Sequence, residues 1–141
     1  MPGVRERLCL DFGMSAPVPY ELMGGEEGIR RLVDRFYDIM DTAPEASGVR
    51  SLHAQSLKWS RQKLFMYLTG WSGGPPLYED RYGHPHLRMR HVPFRIGQEE
   101  RDQWVWCMDR ALDEQEMSAE LRERLRQRLH FLADHMRNEP G

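Results

Sequence analysis

The stretch Ile29-Arg30-Arg31-Leu32-Val33-Asp34-Arg35-Phe36-Tyr37-Asp38-Ile39-Met40 decides the fold class. Ile29, Leu32, Val33, Phe36, Tyr37 and Met40 recur at i, i+3, i+4, i+7, i+8 and i+11, an apolar stripe along one face of a helix. Gly24-Gly25 punctuates the chain before it, and Pro44 and Gly48 bound it and begin a connection through Val49 to Leu52. A second helix is predicted over 57–69, with Leu57, Leu64, Phe65 and Leu68 on one face; Gly70, Gly73, Gly74, Pro75 and Pro76 stop it. Residues 77–83 read as irregular. A short helix is expected to begin near Pro85 and to end before Pro93, because proline starts helices well and breaks them in mid-course. After Gly97 a third long helix puts Trp104, Cys107, Met108, Ala111 and Leu112 on one stripe. Ser118 is the expected N-cap of the last, in which Leu121, Leu125, Leu129, Leu132 and Met136 repeat. No strand pattern competes, so the fold class is all-α.

Size and charge narrow the functional classes. At 141 residues the chain is one domain in length, and residues 1–18 read as an N-terminal extension ahead of a domain at 19–141. All basic residues but Lys58 and Lys63 are arginine. They are interspersed with acids, and the formal net charge is -2, which reads as a solvated surface and not a nucleic-acid stripe. No apolar run approaches a bilayer span, and no signal peptide is apparent, so a cytoplasmic location is the default. Cys9 and Cys107 lie far apart, and neither sits in a CxxC or in the CxxCH of covalent haem attachment.

His84, His86 and His91 cluster within eight positions, yet the paired ligands of structural zinc and the HExxH of zinc hydrolases are missing. His91 follows Leu87 by one turn and precedes Pro93-Phe94, with Arg88, Arg90 and Arg95 around it. A neutral imidazole in an apolar pocket rimmed by guanidinium groups suits haem, whose iron takes the nitrogen and whose propionates want cations. On spacing alone, a satisfied core or surface histidine remains the commoner explanation. Tyr37 and Trp104 likewise place one donor each on an apolar stripe, where ordinary packing and ligand contact are both open.

The chain resembles the group II truncated haemoglobins of bacteria. The resemblance rests on Pro19-Tyr20 ahead of Gly24-Gly25, Arg35-Phe36-Tyr37, and Gly73-Gly74-Pro75-Pro76-Leu77-Tyr78. It is strongest in Tyr82-Gly83-His84-Pro85, Leu87-Arg88, Arg90-His91 and Pro93-Phe94-Arg95-Ile96, followed by Arg101-Asp102, Trp104 and Cys107-Met108. It implies a truncated globin, a two-over-two helical sandwich around haem b (iron protoporphyrin IX). By the same resemblance His91 is the metal ligand, and Tyr37, Trp104 and His53 are the distal residues. Ser60 gates the distal pocket and Leu64 lines it. Lys63 and Arg90 match positions that meet haem propionates, with Tyr78 a weaker match, and Phe65, Leu68, Phe94 and Ile96 are expected against the porphyrin plane.

The function so implied is reversible binding of dioxygen, with nitric oxide, carbon monoxide and peroxide as other ligands and an unidentified reductase as a partner. Oxygen transport, storage or delivery are its cellular forms, in a monomer or a homodimer. Three donors from Tyr37, Trp104 and His53 would hold oxygen tightly. The alternative is a haem redox enzyme, a nitric oxide dioxygenase or peroxidase; a cofactor-free helical interaction module is the third class.

Overall fold

The structure, a computed structural model, describes residues 19–138 except 87, 88, 90 and 92. The expectations for residues 1–18, Cys9, Leu87, Arg88 and Arg90 therefore lie outside the described residues. The order is α1 (Pro19–Leu22), α2 (Gly25–Thr42), a 3-10 turn (Pro44–Ala46), α3 (Ser47–Ser51), α4 (Lys58–Trp71), α5 (Leu77–Tyr82), α6 (Gln98–Asp113) and α7 (Ala119–Met136). Met89 and His91 are also helical, between α5 and α6.

The predicted stripe forms the centre of the core. Ile29, Leu32, Val33, Phe36 and Met40 are all essentially inaccessible, and Met108, Leu112, Leu125 and Leu129 meet them from α6 and α7. Helix α2 runs antiparallel to α4: Arg61 reaches Asp34 and Asp38, while Arg30 stacks on Phe65, so advancing along one helix retreats along the other. Helices α6 and α7 are antiparallel for the same reason, with Arg101 on Asp134, His130 on Asp109 and Arg126 on Asp113. The short connection between them requires this. Helix α2 also packs on α6, giving a two-over-two sandwich.

Ser118 caps α7 as expected, its hydroxyl accepting from the Leu121 N–H at 3.1 Å, a contact of about 1 kcal/mol. Gly28 lets α1 approach α2, since a Cβ there would collide with the Met23 carbonyl.

Two segments differ from the sequence expectation. Residues 77–83 are not irregular: Leu77–Tyr82 is helical, started by Pro76, favoured by Glu79 and Asp80 in its first turn, and ended at Gly83 with φ 78°. Six residues are too few for periodicity to register. The connection after Pro44 likewise contains the 3-10 turn and α3. Pro19, at the expected start of the domain, opens α1 and is buried.

Candidate functional site

Between the helix pairs lies a cavity of about 520 Å³, within the ordinary range for small-molecule and cofactor sites. Its apolar wall is Val49 and Leu52 near α3, Leu64 on α4, Phe94 and Ile96 after the His91 turn, and Leu132, Ala133 and Met136 on α7. Side chains with polar tips complete the wall: Tyr37, His53, Ser60, Lys63, Tyr67, Tyr78, His91, Glu100, Arg101 and Trp104. A depression of about 550 Å³ between α2 and α4 is no smaller, but Asp34 and Arg61 in its wall are ion-paired across the seam. Charge compensated in this way is helix-pairing chemistry, so size does not decide between the two.

Phe36 sets two of the cavity's side chains. It is fully buried, and its ring meets Tyr37 edge-on at 4.8 Å and Trp104 at 5.1 Å between centroids. Tyr37 is 5 % exposed, and burial drives its phenol far above the ordinary value, so it is always a neutral donor at physiological pH. No buried side-chain nitrogen or oxygen lacks a partner among the described residues. Neither the Tyr37 hydroxyl nor the Trp104 indole N–H has a protein acceptor there, so both open onto the cavity that their side chains line.

His53 is held differently. Its Nδ1 lies 2.9 Å from the Val49 carbonyl, and a carbonyl can only accept, so Nδ1 carries the proton. Gln103 of α6 fixes that peptide in turn, its Oε1 accepting from the Val49 N–H at 2.8 Å. Gly48 allows this approach, since a Cβ there would sit 2.8 Å from Gln103 Oε1. Burial first, then Arg50 and His91, lower the His53 pKa despite the Val49 bond. The ring is neutral at physiological pH and presents Nε2 as an acceptor, 5.8 Å from the Tyr37 ring between centroids. The wall thus carries two donors and one acceptor, where sequence reasoning expected three donors.

His91 stands on a turn held by the far end of the chain. Asn138, just past α7, donates through Nδ2 to the His91 carbonyl at 3.1 Å and to the Phe94 carbonyl at 2.8 Å. Its Oδ1 accepts from the Ile96 N–H at 2.9 Å, and its own N–H donates to the Ile96 carbonyl at 2.9 Å. Among the described residues no group of three or more His, Cys, Asp and Glu could hold a metal ion. A largely apolar cavity bearing the imidazoles of His53 and His91, the cation Lys63, and Arg101, which is also paired with Asp134, fits a flat, apolar, dianionic macrocycle whose metal takes a histidine.

Ten of the thirteen expected site residues line this cavity: Tyr37, His53, Ser60, Lys63, Leu64, Tyr78, His91, Phe94, Ile96 and Trp104. Arg90 lies outside the described residues. Phe65 and Leu68 are not brought to the wall. They are buried in the core, and Phe65 lies 4.0 Å beneath the Arg30 guanidinium. Along α4 the cavity is lined by Ser60, Lys63, Leu64 and Tyr67, at i, i+3, i+4 and i+7, and Leu64 borders both regions, lining the cavity while packing against the core. That spacing was the missed signal for Tyr67. The one-turn pair Leu132 and Met136 was read as core, and nothing in the sequence distinguishes Gln103 or Asn138.

The family model for bacterial-like globins matches residues 19–138. A group 2 truncated haemoglobin of Bacillus subtilis is 40% identical over 128 residues, 91% of this chain and 94% of its own. Among solved structures, the cold-adapted truncated haemoglobin of Pseudoalteromonas haloplanktis TAC125 is 46% identical with a TM-score of 0.85, covering 87% of this chain and 99% of that one. The group II 2-on-2 haemoglobin of Agrobacterium tumefaciens is 44% identical with a TM-score of 0.86, covering 90% of this chain and 98% of that one.

Proposed function

The chain belongs to the bacterial-like globin family, among its group II truncated haemoglobins, and from that premise we propose that it binds haem b through His91 and reversibly binds dioxygen. The observation that carries this reading is the joining of His91, Tyr37 and Trp104, from three separate elements, in one largely apolar cavity. Lys63 and Arg101 would face the propionates, and Leu64, Phe94 and Ile96 the ring. Haem held there supplies an iron whose sixth position takes a diatomic ligand. The protein supplies what surrounds that ligand.

The Tyr37 hydroxyl and the Trp104 N–H donate to a ligand that carries partial negative charge, in a site from which the apolar wall excludes bulk water. Such bonds contribute about 0.5–1.5 kcal/mol each, and more to a charged acceptor. His53 at neutral pH adds no third donor, because its Nδ1 proton is committed to the Val49 carbonyl and its Nε2 can only accept. Strong retention by two donors suits sensing, storage or redox turnover better than bulk carriage. Titration of the purified protein with hemin should give a Soret band at one equivalent, and the reduced form should bind oxygen and release it slowly. A chain that takes up no haem stoichiometrically overturns the reading.

A further inference from the structure

Three tyrosines lead from the cavity wall to the surface, and the oxygen-binding site does not account for them. Tyr67 of α4 and Tyr78 of α5 both line the cavity, and their rings meet edge-on with centroids 6.2 Å apart at 88°. Tyr78 meets Tyr82, one helical turn further along α5, at 4.9 Å and 44°. Tyr82 is half-buried, is not part of the cavity wall, and lies between two cations: Lys63 Nζ and the Arg81 guanidinium are each 5.6 Å from its ring centroid. Aromatic contacts at these separations are common in cores. A core, however, is served as well by phenylalanine, and burying a phenol carries a cost that a plain ring does not. Phenol at all three positions, with one end on the cavity and the other between surface cations, is what single-electron transfer requires.

We propose that Tyr67, Tyr78 and Tyr82 form a relay that carries single electrons from a small anionic reductant at the surface to the haem cavity, enabling peroxide to be reduced there. The proposal rests on the haem reading above.

Reduction of hydrogen peroxide breaks its O–O bond and consumes two electrons and two protons to give two waters. Each electron comes through the relay. Tyr67, which is only partly buried, gives an electron inward and its phenol proton to solvent, leaving a neutral phenoxyl radical. Tyr78 restores the electron and a proton returns to Tyr67; Tyr82 then restores Tyr78 in the same way. The Tyr82 radical is quenched by a reductant of the enediol or phenol class, which loses one electron and one proton and leaves as a radical. Two such donors balance one peroxide. Burial and Glu79 both hold the Tyr67 phenol above its ordinary value, so its electron and proton leave together. Arg81 beside Tyr82 favours a donor that arrives as an anion.

The test uses the haem-loaded protein, hydrogen peroxide and a nitroso spin trap, with the adducts located by mass spectrometry. The relay predicts an adduct on Tyr82 in the wild type. In Tyr78→Phe, which keeps the ring but removes the oxidisable phenol, that adduct is lost and one appears on Tyr67. Tyr82→Phe should move the adduct to Tyr78, and Tyr20→Phe, off the path, should leave the pattern unchanged. A Soret band and helical signal equal to the wild type show that each variant is folded and loaded. A Tyr82 adduct undiminished in Tyr78→Phe, or a wild-type adduct on Tyr37 or a tryptophan instead, overturns the relay while leaving haem binding intact. Absence of the Soret band from the wild type would instead overturn the haem reading.

Discussion

The wall that carries Tyr37 and Trp104 and the turn that carries His91 are built by different means. Tyr37 and Trp104 stand on long helices, and both lean on Phe36, which is wholly buried. Their positions follow from the core. His91 stands between Pro85 and Pro93 on a turn whose neighbours Met89 and Phe94 are 63% and 42% exposed. Among the described residues, Asn138 makes three side-chain hydrogen bonds to that turn. On the proposed function, the groups that would polarise a ligand are preorganised by the core, and haem bound at His91 would add stability to the turn that carries it.

The sharpest way to break this comparison is at His91. His91→Ala should abolish stable haem binding, with added imidazole restoring the Soret band, while far-UV circular dichroism of the cofactor-free protein barely changes. A variant that keeps an axial-histidine spectrum without imidazole would transfer the ligand role elsewhere.

The same difference explains what the sequence discloses. Long elements with a strong stripe, as in Ile29 to Met40, reveal both their helix and their buried face, because burial imposes the 3.6-residue repeat. The short elements α3 and α5 are hidden, since fewer than two turns cannot display a period. Helix α4 buries Phe65 and Leu68 in the core and turns Ser60, Lys63 and Tyr67 to the cavity, with Leu64 on the border between them, so an apolar pattern alone does not separate the two regions. His91 was legible only through its motif. The acceptor role of His53 depends on the Val49 carbonyl, a backbone atom that no side-chain pattern encodes.

On the preorganised side, Tyr37→Phe and Trp104→Phe each remove one donor and keep an aromatic filler. Each should speed oxygen release from the ferrous protein about tenfold, since about 1.4 kcal/mol is a factor of ten. Trp104→Phe should have the larger effect, because it also leaves space for water. The two effects should combine non-additively, as donors to one ligand reorient when either is lost. Equal stopped-flow release rates in the wild type, both single variants and the double variant would remove the polar cage and leave His91 untouched.

Asn138 offers a smaller effect on the other side. Asn138→Ala deletes three side-chain hydrogen bonds to the His91 turn but keeps the backbone bond to Ile96. Haem transfer to an apoprotein acceptor should become several-fold faster, with no change in oxygen release. Asn138→Asp is the stricter variant, because it sets a carboxylate oxygen against two carbonyls and should release haem faster still. If haem loss is unchanged in both, the turn is held by haem alone.

The smallest effect concerns His53, and here the two consequences of one protonation run in opposite directions. Burial holds its folded pKa below the ordinary value of about 6.5, so below that pH the unfolded chain binds a proton that the folded chain resists. Stability should therefore fall as pH drops through about 6.5, and go on falling until the folded value is passed. His53→Gln removes this dependence, so its unfolding midpoint in urea should fall less steeply with acidification than the wild type's. Protonation also converts Nε2 from acceptor to donor, since Nδ1–H is already committed to Val49. The folded wild type should then hold oxygen more tightly as the solution is acidified, even while it becomes easier to unfold, whereas His53→Gln should show neither trend. Parallel trends in the two proteins would mean that His53 is solvated and the Val49 contact is not formed. A stability trend without a change in oxygen release would keep the buried, neutral imidazole and place its Nε2 out of the ligand's reach.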